Sequence, residues 1–139
     1  YWKGCVAGKY VLGIESNGDI KGCPSLPSNP YVKGNIKQES LRSIWDNKLD
    51  FARNRGTSEL WGFCKGCYYA ETCQGGCSWT SHTLLGKRGN MPYCYHRADM
   101  LAQQGVYEIL QQTQRAEGNP FDYGQFELHQ RPLTSKEEN

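Results

Sequence analysis

The sequence predicts a small α+β fold in which a β-hairpin and cysteine-rich loops are flanked by two helices. Three observations lead there. An alternating apolar run is broken by Asn17-Gly18, two stretches carry helical stripes, and between these lies a Gly- and Cys-rich segment with little periodicity. At 139 residues the chain has about the length of one domain. Only 37% of it is hydrophobic and its mean hydropathy is −0.74. The four Trp and nine Tyr therefore supply part of the burial that Leu and Ile do not, and a further staple is expected.

Residues 9 to 23, KYVLGIESNGDIKGC, read as the hairpin. Tyr10, Leu12 and Ile14 alternate on one face, Asn17-Gly18 is a strong turn signal, and Ile20 lies on the returning strand. The turn is expected to fold Cys23 back toward Cys5, eighteen positions earlier. CPSLPSNPY, residues 23 to 31, carries three prolines and reads as irregular extended chain. Ser40 then caps a helix in which Leu41, Ile44, Trp45, Lys48, Leu49 and Ala52 fall near one stripe, ending by Gly56. Burying each large apolar side chain stabilises by roughly 1.5–3 kcal/mol, so Trp45 and its neighbours are expected in the core.

From Leu60 to Tyr95 the weak periodicity suits loops shaped by whatever the thiols bind. A second helix is expected from Tyr95 to Thr113, with Ala98, Leu101, Ala102, Val106, Ile109 and Leu110 on one side. Gly105 inside it costs about 1 kcal/mol relative to Ala. The chain divides into a cysteine-bearing domain, residues 1–118, and a polar C-terminal tail, residues 119–139, expected to be disordered or to dock on a part missing from this chain. There are no internal repeats.

The formal charge is +2, from 16 basic and 14 acidic residues spread along the chain. No Lys/Arg run resembles a nucleic-acid or membrane patch, so neither partner is expected. No stretch of 18 apolar residues and no signal-peptide pattern occurs. The chain opens on Tyr1, which reads as a piece of something longer.

Cysteine is the unusual component. CKGCYYAETCQGGC, residues 64 to 77, holds four thiols separated by two, five and three residues. Seven cysteines amount to about 5% of the chain, below the roughly 8–10% of a short secreted disulfide scaffold. The odd count and tight spacings disfavour disulfides and point to a reducing, cytoplasmic setting. Zinc remains open. Cys64-x2-Cys67 is a common half of a zinc site, and Cys73 with Cys77 or Cys94 would complete four thiolates, leaving three idle. Iron–sulfur ligation is the other option, since such clusters take Cys thiolates in short runs and seven divides as four plus three. His82, His96 and His129 are read as surface groups, not ligands.

The whole order, Cys5-x12-Gly18-x4-Cys23, a gap, Cys64-x2-Cys67-x5-Cys73-x3-Cys77, a gap and Cys94, resembles the seven-cysteine signature of the SPASM domain. This is the auxiliary-cluster module at the C-terminal end of many radical SAM enzymes. Gly34-Asn35 followed by SLRSIW, residues 40 to 45, is similar to the family's linking helix, so the resemblance spans roughly residues 4 to 95. It implies two [4Fe–4S] clusters wrapped by the cysteine loops. Cys5, Cys23 and Cys77 would bind the first, with its fourth ligand unassigned, and Cys64, Cys67, Cys73 and Cys94 the second. Cys73 and Cys77 would thus serve different clusters.

The same resemblance implies a role in a radical SAM maturase that modifies a peptide or protein, with the domain carrying electrons and walling the substrate channel. The family's C-x3-C-x2-C motif, which binds AdoMet and a third [4Fe–4S] cluster in a preceding domain, occurs nowhere here. The chain alone is therefore expected to lack AdoMet cleavage, and its partners are that N-terminal radical SAM domain and a peptide or protein substrate. The alternative is a zinc- or cluster-stapled peptide-binding module with no redox role, using Trp61, Tyr68, Tyr69 and Trp79. Those aromatics are otherwise expected as core around the cysteine loops. Lys21, Lys65 and Arg97, where near the thiols, would offset cluster charge and tune potential, and Lys65 is read as solvated.

Overall fold

Asn17-Gly18 makes the turn expected of it. Gly18 has φ +95°, the Asn17 side-chain oxygen accepts the Asp19 N–H at 3.0 Å, and the Glu15 N–H donates to the Asp19 carbonyl at 2.9 Å. The flanking strands β1 (Gly13–Ile14) and β2 (Asp19–Lys21) run antiparallel with Ile14 opposite Ile20. In the computed structural model, which describes residues 4–47 and 59–133, the chain continues through a helical turn α1 (Ser28–Tyr31), strand β3 (Val32–Asn35) and helix α2 (Leu41–Asn47). It then forms a 3-10 turn (Gly62–Gly66), helices α3 (Ala70–Cys73), α4 (Ser78–Leu85) and α5 (Tyr95–Gln103), and strands β4 (Val106–Gln114) and β5 (Gln125–Pro132). The small α+β class holds.

The hairpin gains a third strand that the sequence reading left out: β3 pairs with β2, placing Gly34 opposite Ile20. Its neighbours explain the fit, because a Cβ at Gly34 would run into the side chain of Ile44 on α2. Ile20, Leu26, Tyr31 and Ile44 form the apolar core, with Leu12, Cys23 and Trp45 packed against it. Trp45 is thus placed as expected. Tyr10 and Ile14 are not core, at 83% and 53% exposed. β1 is only two residues long, and its inward residue is Gly13, whose backbone lies against Pro24.

The proline-rich loop is irregular, with Asn29 extended inside α1, yet it donates Leu26 and Tyr31 to the core. Ser40 caps α2 through its hydroxyl oxygen, which accepts the Ser43 N–H at 3.2 Å. Lys48, Leu49, Ala52 and the expected end at Gly56 lie outside the described residues.

Two expectations about the second half need correction. The segment from 60 to 95 is not all loop, for it contains α4, an eight-residue helix stopped by Gly86 in a left-handed conformation. The second helix does not reach Thr113. It ends at Gln103, Gly105 turns the chain at φ +75°, and Val106, Ile109 and Leu110 belong to β4. The tail supplies its partner: β5 pairs with β4 from Val106–Pro132 to Gln114–Gln125, and the Leu133 N–H closes the ribbon on the Gly105 carbonyl at 2.8 Å. A 3.6-residue stripe and a strand share apolar positions over a short window, so Gly105 was the signal to weigh more heavily. Among the described residues no helix is long and apolar enough to cross a membrane.

Candidate metal centre

The thiols are presented by tight turns. The 3-10 turn buries Cys64, Cys67 follows it, and Cys73 ends the single turn of α3. Gln74, Gly75 and Gly76 then have φ of 50°, 75° and 69°. This left-handed run turns the chain so that Cys77 arrives at the N-cap of α4 instead of continuing the helix. Glycine is required in it, since a Cβ at Gly75 would meet Leu60 and the Gly89 backbone, and one at Gly76 would meet Met91. Cys94 caps α5.

Five of the seven thiols, Cys64, Cys67, Cys73, Cys77 and Cys94, line one hollow of about 540 Å³. Cys5 and Cys23 do not line it. Cys23 is half-buried against the apolar core, and the half-buried Cys5 sulfur accepts the Ala7 N–H at 3.4 Å. Among the described residues no three His, Cys, Asp or Glu side chains converge closely enough to grip one metal ion. The thiols frame a space, not a point.

Backbone donors face the sulfurs. The Met91 N–H points at Cys64 Sγ and the Tyr69 N–H at Cys67 Sγ, each at 3.4 Å. The N–H groups of Gly76 and Gly75 favour the Cys73 thiolate, a concave arrangement of successive amides that suits an anion. Burial pushes the Cys64 thiol up, against the Met91 N–H and the Arg97 charge, and the neighbouring Cys73 and Cys67 push it further. Burial likewise raises Cys73, with Cys94 and Cys67 adding to it. Cys64 thus feels Cys67 and Cys73 as charges, and Cys73 feels Cys67 and Cys94. A cationic centre among them would relieve that repulsion and release protons on binding. Thiolate donors, a roomy hollow and amides aimed at sulfur fit an iron–sulfur group.

The surrounding groups divide into fixed and exposed. Lys65 is exposed, as expected. Lys21 is 2% exposed and pairs with Glu15 at 2.5 Å, donates to the Leu26 carbonyl, and sits over the Phe121 ring. Arg97 is also buried. His82 is not a surface group: it bonds the Tyr31 hydroxyl at 3.0 Å, and burial lowers its pKa. His96 borders the hollow edge-on to Tyr69, and His129 lies near Glu127 on β5.

The expected aromatic core around the cysteine loops is absent at several positions. Tyr68 is 87% exposed, and Tyr69, Trp79, Tyr93 and Tyr95 are exposed too, while Trp61 is half-buried with its indole N–H on the Arg88 carbonyl. Sequence reasoning also missed Met91, Asn90 and Ser81. The Ser81 oxygen accepts the Asn90 N–H at 3.1 Å and lies 3.0 Å from the carbonyls of Lys87 and Asn90.

Residues 5–68 match the sequence model of the SPASM family, described as an iron–sulfur cluster-binding domain. The chain is 33% identical over 96 residues to the AdoMet-dependent heme synthase of Methanosarcina barkeri, covering 68% of this chain and 26% of that protein. It is 29% identical over 97 residues to the PqqA peptide cyclase of Xanthomonas euvesicatoria, covering 69% and 26%. With the mycofactocin maturase of Mycobacterium tuberculosis it shares 30% identity over 74 residues, 52% of this chain and 19% of the relative. The chain thus spans about a quarter of the length of the first relatives it matches. With Cys5, Cys23, Cys64 and Cys67 inside the matched segment, residues 5–68 of this chain match the SPASM family of iron–sulfur cluster-binding domains.

Proposed function

We infer that this chain is the C-terminal auxiliary part of a radical SAM enzyme that modifies a peptide or protein. It holds two [4Fe–4S] clusters, the first on Cys5, Cys23 and Cys77, the second on Cys64, Cys67, Cys73 and Cys94. The observation that carries this reading is the hollow lined by five thiols in a chain whose residues 5–68 match a cluster-binding family. The charge effects that tie Cys73 to Cys64, Cys67 and Cys94 support grouping those four. Cys77 lines the same hollow as those four, so its assignment to the first cluster rests on the family resemblance.

When bound, the clusters supply one-electron chemistry at potentials set by hydrogen bonds to sulfur and by exposure. This chain's residues hold and orient them through backbone N–H groups, limit water at the buried Cys64, and present a wall to the substrate channel. AdoMet and a third [4Fe–4S] cluster belong to an N-terminal radical SAM domain, the chain's partner along with the peptide or protein substrate. The cluster-binding function lies in residues 1–118, and the tail, 119–139, braces it through β5. The setting is cytoplasmic, and neither nucleic acid nor membrane is a partner.

Oxygen-free loading with ferrous iron and sulfide tests this. The expected product is brown, with about eight iron and eight sulfide per chain. Cys73→Ala and Cys77→Ala are each expected to lose about half, from different clusters distinguishable by their paramagnetic resonance signals. A single metal centre, or both substitutions removing the same one, refutes the wiring.

The exposed Tyr68, Tyr93 and Tyr95 favour a second reading, a stapled module that grips a peptide without redox work. Cluster-ligand variants of the complete enzyme separate the two. Retained peptide affinity with lost turnover supports electron transfer, and retained turnover supports the stapled module.

A further inference from the structure

The geometry points to Arg97 as the positioning residue of the second thiol set, acting on Cys64 through the backbone on either side of Met91 Cα and held in place by the C-terminal ribbon. This rests on the reading above, in which Cys64 is a cluster ligand. Arg97 is 3% exposed and every nitrogen of its guanidinium is engaged. Its Nε lies 2.5 Å from Glu108 Oε2, and its Nη2 donates to Glu108 Oε1 at 3.0 Å. Its Nη1 donates to Asn90 Oδ1 at 2.7 Å and to the Met91 carbonyl at 3.2 Å. The Met91 N–H, on the other side of the same residue, donates to Cys64 Sγ at 3.4 Å.

Three elements thus meet on one fork: α5 brings Arg97, β4 brings Glu108, and the loop before Cys94 brings Asn90 and Met91. A bidentate arginine–carboxylate pair is rigid in a way a single contact is not. Gln130 of β5 adds a bond to Glu108 Oε1 at 3.2 Å, so the ribbon fixes the carboxylate that fixes the guanidinium. The Phe63 ring lies over the guanidinium, 5.4 Å from its centroid, beside Cys64 in the 3-10 turn. The fork does two things for the sulfur. It aims one N–H at it, and it places next to it a positive charge whose counter-charge is Glu108.

Those two charges give a test with opposite signs. Glu108→Gln removes the negative charge and leaves the positive one, which favours the reduced, more negative form of a nearby cluster. Arg97→Gln does the reverse. In the iron- and sulfide-loaded chain, a dithionite titration followed by electron paramagnetic resonance is expected to show one of two cluster signals moving up with E108Q and down with R97Q. The expected size is about tenfold in the reduced-to-oxidised ratio at fixed potential, about 59 mV for one electron. The other signal stays put. A purely architectural Arg97 would instead cost iron retention in both variants, with any remaining cluster at the unaltered potential.

If R97Q yields no loaded protein, E108Q alone decides, and an unmoved signal there overturns the inference. Clusters that form in the unmutated chain but shift in the same direction in both variants also overturn it. An unmutated chain that takes up no iron and sulfide refutes the proposed function, and this inference falls with it.

Discussion

The two halves of the molecule are held by different forces. Around the three-stranded sheet, Ile20, Leu26 and Ile44 are fully buried and Tyr31 nearly so, an apolar core of the ordinary kind. Among the described residues of the thiol half, the buried ones include Ser78, Ser81, Arg88, Asn90 and Arg97, with only Leu60, Cys64 and Leu101 as buried apolar company. A hydrophobic core stabilises by excluding water and tolerates some imprecision. A polar interior holds only while each donor and acceptor is matched. The first half thus rests on burial, whereas the second is expected to rest on a ligand for its sulfurs that gives its hydrogen bonds a fixed frame.

The sharpest way to break that contrast is to remove the metal. Chelated, iron-free chain is expected to be largely unfolded, with amide protection in residues 60–97 lost first; ligation of structural zinc in small domains is worth about 10–16 kcal/mol, which sets the scale. Circular dichroism showing a cooperative, native-like transition after iron removal would contradict it. Next in size, Ile44→Ala is expected to cost about 2–5 kcal/mol in urea unfolding of the loaded chain. Iron held by the second thiol set should be unchanged, because the loss falls on the sheet half, where Cys23 of the first set packs.

Ser81→Ala should cost less, about 1–3 kcal/mol, by stranding the Asn90 N–H and a carbonyl. Its signature is regional, since faster amide exchange at residues 87–91 without change around Ile20 would sharpen the comparison, and a uniform change would weaken it. The smallest effect is a pH dependence. Burial holds the pKa of His82 below its ordinary value of 6.5, so the unfolded chain binds this proton more readily than the folded one. Stability is fullest above pH 6.5 and declines as pH falls through the lowered value. His82→Gln should flatten that slope, as read from melting temperatures across pH 5 to 8 (about the range in which His titrates).

The sequence was most legible where a local rule had no competitor. Asn17-Gly18 has few uses besides a tight turn, and the hairpin follows from it. Ile44 and Trp45 sit on a capped helical stripe and pack as expected. Legibility failed where two periods share the same positions, as at Val106, Ile109 and Leu110, which suit a helix face but lie on β4 once Gly105 has turned the chain. β5 was missed for a different reason. Its polar residues say little alone, and the strand exists because β4 lies beside it. At the candidate site the spacing of the thiols was readable, but the amides of Met91 and Tyr69 that face the sulfurs were not, since a backbone donor leaves no mark in the side-chain alphabet.

The left-handed step from Gln74 to Gly76 carries one more consequence. Its amides are locked toward Cys73 by crowding that any Cβ at Gly75 or Gly76 would worsen. Dipoles frozen in advance need not swing when the charge beside them changes, so the environment spends little energy rearranging. In the electron-carrying role proposed above, that stiffness would favour rapid hand-over in either direction, so the two glycines would serve speed as much as shape.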